Sequence, residues 1–239
     1  MAKKEYKVRK KNGLVPNFFK VILKPFKKKP QFEFLFEGDL QKKAIYVSNH
    51  SGASGPLTFQ MCFPIKTIPW GAHEMCGNYK SRWNYLYHVF YRQKLHWGKG
   101  KAFIIATLFA IISKLLYSGV GLIGTYTDKR LIKTFRSSTK ALDENVPLLI
   151  FPEDSTNGYI EPPFAYNKGY ISMCKVYYKL RNFDVPVYPV YFSKKSAKFV
   201  VDKPYYINKM IADGMTDDQI NEVILNSTRK LFYDYIEKS

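Results

Sequence analysis

Disulfide architecture is the first thing this sequence excludes. Its 239 residues contain three cysteines, Cys62, Cys76 and Cys174, an odd number with no closely spaced pair. That pattern fits buried thiols in a reducing compartment. A metal centre has no support either: His50, His73, His88 and His96 lack ligand spacing, and none has a cysteine two to four residues away. No signal peptide is expected, because the basic start is not followed by a sustained apolar core and a small-residue cleavage site. Acidic residues are scarce, 19 against 38 Lys and Arg, leaving a net charge of +19.

What is abundant is aromatic and basic. Phe, Tyr and Trp make up 17% of the chain. More than half of the charge excess falls in the first 30 residues, where eleven Lys and Arg face Glu5 alone. Nucleic acid, anionic lipid and an acidic protein all suit such an asymmetry. In Phe18-Phe19-Lys20-Val21-Ile22-Leu23-Lys24-Pro25-Phe26-Lys27, however, bulky apolar residues alternate with lysines at roughly helical spacing. Such a segment can lie in a headgroup layer or trail as a solvated basic tail. Residues 1–30 therefore read as a basic amphipathic membrane-contact tail and 31–239 as one domain, long enough to bury its own core.

Within 31–239, buried strands are predicted at 44–48, 120–126, 147–151, 185–192 and 198–201 from β-branched and aromatic content. Helical spacing falls between them: Leu131, Phe135, Ser138 and Leu142; the stretch 167–180; and a C-terminal helix opened by the capping box Thr216-Asp217-Asp218-Gln219. Strands alternating with helices predict an α/β fold, a layered mixed sheet flanked by helices. The apolar run 102–117 carries Lys114 and falls short of the ~20 apolar residues of a spanning helix, so a core helix or a membrane-embedded surface helix is expected. The aromatic-basic stretch from Trp83 to Trp97 favours an interface.

Two motifs fail on context. Gly119-Val120-Gly121-Leu122-Ile123-Gly124 has dinucleotide spacing but follows a helix-length run instead of a strand. Gly52-Ala53-Ser54-Gly55-Pro56 misses the nucleophile-elbow pattern by one position, and its proline is expected to obstruct a following helix.

Two segments remain. Asn49-His50 follows a buried strand and opens a Ser/Gly-rich turn; imidazole titrates closest to working pH, which suits it to proton transfer. Further on, Phe151-Pro152-Glu153-Asp154-Ser155-Thr156-Asn157-Gly158 ends a strand and delivers carboxylates and hydroxyls into a loop. Ligands in α/β sheets bind at such strand ends. A histidine turn followed about a hundred residues later by Ile-Phe-Pro-Glu resembles the PlsC-type glycerolipid acyltransferases, including the 1-acylglycerol-3-phosphate acyltransferases. The resemblance runs along most of the chain from residue 31: Ala72-His73-Glu74-Met75, Arg130, Pro163-Phe164 with Lys168-Gly169, Val185 to Val190, and Lys203 to Ile207 match its later blocks in order.

The resemblance implies a glycerolipid-acyltransferase-like fold and direct acyl transfer from acyl-CoA or acyl-carrier protein to a lysophospholipid or related acceptor. No other cofactor is implied. His50 would be the general base, Glu153 would help hold the acceptor, and Arg130 would bind phosphate. Asn49, Glu74, Asp154 and Ser155 would line the substrate site. The implied location is the cytoplasmic face of an anionic membrane, peripheral or monotopic, with no nucleic-acid partner. Two positions depart from the pattern. The aspartate of His-x4-Asp is Gly55, so another group must orient His50, a backbone carbonyl, Glu74 or Asp154. Thr156 stands where a phosphate-binding arginine is usual, which favours an uncharged or cationic acceptor head. A catalytically silent lipid-binding relative is the alternative.

Overall fold

The computed structural model describes residues 6–23, 25, 28–52, 54–156 and 158–238; the side chains of Leu23 and Ser54 also lie outside the description. Glu5, Lys24, Phe26 and Lys27 of the basic segment, Ala53 of the histidine turn and Asn157 of the Phe-Pro-Glu loop are likewise outside it.

Eight strands form one sheet: β1 (Gln31–Phe34), β2 (Ile45–Ser48), β3 (Ile68–Ala72), β4 (Ile123–Thr125), β5 (Leu148–Ile150), β6 (Pro186–Ser193), β7 (Lys198–Val201) and β8 (Tyr205–Tyr206). Their order is β1-β7-β6-β2-β5-β3-β4, with β8 also paired to β6. Pairing is parallel except where β6 meets β7 and β8. The fold is the expected layered mixed α/β sheet.

The central strands are buried on both faces, as parallel strands under helices must be. Ile45 and Val47 face one core with Leu148, Ile150 and helices α5 (Leu131–Asp143), α6 (Gly169–Arg181) and α8 (Asp217–Phe232). Tyr46 and Leu149 face the other with Tyr188, Phe199 and two residues around α2 (Ser54–Cys62), Phe59 and Phe63. The capping box at Thr216 and Gln219 forms as expected. Two sequence expectations are corrected. A helix does follow the histidine turn, because Pro56 sits in the first turn of α2, where its missing N–H removes no helical bond. Residues 120–122 close a helix instead of opening a strand. Strands β1 and β3 escaped notice: β1, Gln-Phe-Glu-Phe, is half polar and lies at the sheet edge, and Pro69 and Gly71 mask the strand character of β3.

The apolar run becomes α4 (Lys99–Val120), 22 residues, long and apolar enough to cross a membrane by length and composition alone. It is longer than the run alone suggested. Ala102, Ala106, Ala110 and Ser113, one turn apart, are buried against the domain. The buried Arg82 of α3 (Tyr79–Asn84) donates to the Ala110 carbonyl and Ser113 Oγ and holds that face in place. On the opposite face Phe103, Ile104, Leu108, Ile111 and Leu115 are each more than half exposed. Helix α1 (Leu14–Leu23) packs on α4, with the Gly13 N–H donating to the Gly119 carbonyl at 2.9 Å, and exposes Leu14, Phe18 and Val21 beside it.

Past the end of β2, Asn49 extends the sheet with its side chain: Nδ2 donates to the Phe192 carbonyl (3.0 Å) and Oδ1 accepts from the Phe192 N–H (2.8 Å). Asn49→Ala leaves both backbone groups buried and unpaired, and is expected to cost about 2–4 kcal/mol in urea denaturation. A loss under about 0.5 kcal/mol, the scale of neutral surface changes, would contradict this role.

Candidate functional site

Strands β2 and β5 are parallel neighbours in the register Val47↔Ile150, so the residues following them emerge together at one sheet edge. His50 follows β2 and Glu153 follows β5. Glu153 Oε1 accepts the His50 backbone N–H at 3.0 Å. The carboxylate thus anchors the histidine's backbone and does not touch its ring.

The ring is oriented from its own turn. Ser51 (φ 44°) and Gly52 (φ 61°) are both left-handed, and the turn brings the Gly52 carbonyl to 2.5 Å from His50 Nδ1. With Nδ1–H donating there, Nε2 is left with its lone pair. A non-glycine residue in this region costs about 1–3 kcal/mol, a sign that the turn is held by its surroundings. Of the orienting groups the sequence suggested, the backbone carbonyl is the one in place. Glu74 bonds the His73 ring instead (Nδ1–Oε2 3.2 Å), and Asp154 accepts from the Thr156 N–H and hydroxyl.

The missing aspartate has a steric explanation. A Cβ on Gly55 would lie 2.0 Å from the His50 carbonyl oxygen and 2.9 Å from its carbon. Helix α2 is pressed so closely on the turn that no side chain fits at 55.

The remaining candidates divide into two groups. Ser155 is buried beside His50's loop and accepts from Lys94 Nζ at 2.7 Å. Lys94 ends a π-helical stretch (Tyr85–Lys94). It places a cation near His50 and Glu153 that sequence reasoning missed, since nothing in an aromatic-basic run marks one lysine as turned inward. Burial lowers its pKa, opposed by Asp154, Glu153 and Glu74. Arg130 belongs to the second group: its guanidinium lies on Asp128 through three contacts of 2.7–3.0 Å and over the Tyr126 ring, on which His73 also packs. Its fork is therefore already engaged by a carboxylate.

An apolar cavity of about 440 Å³ opens at His50, within the range of about 300–1,000 Å³ usual for small-molecule sites. Phe151 and Tyr159 line it beside the imidazole, and Phe19 of α1 with Phe109, Ile112 and Leu116 of α4 line it elsewhere. Among the described residues no cluster of three or more His, Cys, Asp or Glu side chains is placed to hold a metal.

Burial dominates the site's electrostatics. It pushes the His50 imidazole down to about 3, with Lys94 adding and the Gly52 carbonyl opposing. It pushes the Glu153 carboxyl up to about 7, opposed by the His50 N–H it accepts and by Lys94, and reinforced by Glu161.

No protein-family model matches the chain, and no curated protein matches it in sequence. Among solved structures it is similar to the crystal structure of the 1-acyl-sn-glycerophosphate (LPA) acyltransferase, PlsC, from Thermotoga maritima. The match has 11% identity and a TM-score of 0.49, and covers 92% of this chain and 79% of that one.

Two outcomes follow from the geometry. Gly55→Asp, which restores the acid on paper, is expected to destabilise by about 1–3 kcal/mol or more through overpacking, with no transfer of Nδ1 to the new carboxylate; unchanged stability in urea denaturation would contradict the close approach. The second concerns pH. Unfolded Glu153 ionises from about pH 4.5 while the folded carboxyl keeps its proton to about 7, so its contribution falls as pH rises through that window. His50 acts oppositely: the unfolded imidazole takes a proton below about pH 6.5 that the folded one refuses until about 3, so stability falls as pH drops. The two slopes offset each other between 4.5 and 6.5. Glu153→Gln is expected to expose the His50 slope, losing up to about 1.4 kcal/mol per pH unit below 6.5; a slope equal to wild type would contradict it.

Proposed function

We propose that the protein is a membrane-associated acyltransferase that moves a fatty acyl group from a thioester donor, acyl-CoA or acyl-carrier protein, to a lysophospholipid or related acceptor. One observation carries the reading. The tautomer-fixed ring of His50, its Nε2 unprotonated and 3.4 Å from the Tyr159 hydroxyl, lines an apolar cavity that is also lined by α1 and α4, the two helices with exposed apolar faces.

In this reaction Nε2 takes the proton of the acceptor hydroxyl as its oxygen attacks the thioester carbonyl. The thiolate leaves and takes that proton back. The Gly52 carbonyl stabilises the transient imidazolium through Nδ1–H, the part a carboxylate plays in a serine-protease triad. A carbonyl carries only a partial charge, so the stabilisation is weaker. The acyl chain occupies the apolar cavity. Glu153 fixes the histidine's backbone, and Lys94 with Ser155 offers polar contacts to the acceptor. With Arg130 engaged by Asp128 and Thr156 in place of an arginine, the site favours an uncharged or cationic acceptor head over a bare phosphate. The exposed residues of α1 and α4 enter the lipid surface while neighbouring lysines meet anionic headgroups. The protein then works from the cytoplasmic face, peripheral or monotopic.

Purified protein on anionic vesicles carrying a lysophospholipid is expected to transfer a labelled acyl chain from a thioester donor, and His50→Ala to lower the rate by about 10²–10⁴. Transfer from no thioester donor to any lysolipid, or an unchanged rate in His50→Ala, would overturn the assignment in favour of a silent lipid-binding protein. Flotation tests the membrane contact. Leu108→Ser with Ile111→Ser is expected to reduce binding to anionic vesicles while leaving stability within about 0.5 kcal/mol, because both side chains are exposed. Undiminished binding would remove α4 from the contact.

A further inference from the structure

The surroundings of His50 reverse the charge of the rest of the molecule. The chain carries 38 Lys and Arg against 19 Asp and Glu, yet carboxylates gather at the base. Glu153 accepts the His50 N–H at 3.0 Å, and Glu161 accepts the hydroxyl of the next residue, Ser51, at 3.0 Å. Asp154 follows Glu153 and is exposed, with Oδ1 accepting from the Thr156 N–H and hydroxyl. Among the described residues, Lys94 is the cation whose charge acts on His50, Glu153 and Asp154 alike.

Lys94 is half-buried and only lightly engaged. Its hydrogen-bond partner among the described residues is the neutral Ser155 hydroxyl at 2.7 Å. An ammonium has more N–H donors than that one bond uses. Asp154 and Glu153 act on it through space. Its Nζ stands 5.8 Å from the centre of the Tyr159 ring, and that ring stacks on the imidazole at 4.2 Å. Lys94 is thus one tyrosine ring away from the base. A half-buried charge bonded to a neutral group is poorly compensated, and an anion brought by a substrate completes it.

We infer that the acceptor is a zwitterionic lysophospholipid whose phosphate is a diester to an amino alcohol, with Lys94 taking the phosphate charge and Asp154 the amine. A phosphomonoester carries between one and two negative charges near neutral pH, and here it meets Asp154 and Glu161 with one lysine to offset them. A diester carries a single negative charge, which one lysine answers. Its amine then answers the carboxylate that Lys94 leaves over. A head with no charge at all leaves Lys94 uncompensated. In a lysophospholipid the phosphate lies a few bonds from the free hydroxyl, so a hydroxyl at Nε2 puts the phosphate on the Lys94 side of the site. The acceptor's part in this rests on the acyltransferase reading; the selection of the head by charge does not.

Head selection is read by binding, apart from turnover. Short-chain lysophospholipids sharing one acyl chain, below their micellar concentration, are titrated calorimetrically into the full chain with no thioester donor present. The ethanolamine diester is expected to bind at least about tenfold more tightly than the phosphomonoester. Lys94→Met is expected to weaken the ethanolamine diester at least about tenfold, the scale of a charge-assisted hydrogen bond, and Lys94→Arg to retain most of the binding. Asp154→Asn is expected to weaken it about two- to fivefold, as for an exposed charge pair, and to leave the glycerol diester unchanged. That variant alters an exposed side chain and carries the test should Lys94→Met fail to fold. Equal or tighter binding of the phosphomonoester, binding of neither, or an unchanged Kd in Lys94→Met would overturn the inference, as would Asp154→Asn weakening both diesters alike or neither. Acyl transfer is measured separately on the same acceptors. Selective binding without transfer would overturn the enzymatic reading alone; transfer that prefers the phosphomonoester would overturn the head selection alone.

Discussion

The hydrogen bond from His50 Nδ1–H to the Gly52 carbonyl is the constraint on which the site depends. It requires two consecutive left-handed residues, Ser51 and Gly52, and that turn is held between Glu153 beneath the His50 N–H and helix α2 against the His50 carbonyl. The same crowding removes any side chain from position 55. The absence of an aspartate and the presence of a carbonyl on Nδ1 are therefore one structural fact. A carboxylate would bring a full negative charge to the imidazole; the carbonyl fixes the same tautomer without it. A half-buried base beside Lys94 then remains neutral over the physiological range.

The second organising feature is the division of α4. Its small residues, spaced one turn apart, let the helix sit against the domain, and its large apolar residues point outward. In a protein of net charge +19 this apolar band is continuous with α1, whose segment carries lysines of the basic N-terminal region. The cavity that starts at His50 is walled in part by the same two helices. A lipid bound at His50 and a bilayer under α4 would thus share one boundary, which gives an insoluble substrate a short path to the base.

Much of the fold was legible in the sequence, because the central strands β2, β5 and β6 are largely apolar runs and the C-terminal helix announces its own cap. The parts that escaped are those in which local signals conflict with tertiary structure. Strand β3 carries Pro69 and Gly71; α2 carries Pro56 in the one turn that tolerates it; Lys94 looks like its basic neighbours until a π-helical stretch turns it toward Ser155. At the site, His50 and Glu153 were placed together by strand pairing, as their positions after two apolar runs implied. Their relation was not legible, since a carboxylate on a backbone N–H and one on a ring nitrogen leave the same sequence trace. Tyr159 went unnoticed for a similar reason, as one tyrosine among nineteen.

The central claim is that His50 carries its proton on Nδ1, held by a backbone carbonyl, and keeps Nε2 unprotonated in a ring that lines the cavity. Nitrogen-15 NMR of the histidine-labelled protein, with His50 assigned through His50→Gln, reads this directly. One protonated Nδ1 and one unprotonated Nε2 are expected near neutral pH, with no titration down to about pH 5, as the burial of the ring dictates. A proton on Nε2, or averaging between tautomers with an ordinary titration near 6.5, would contradict the account.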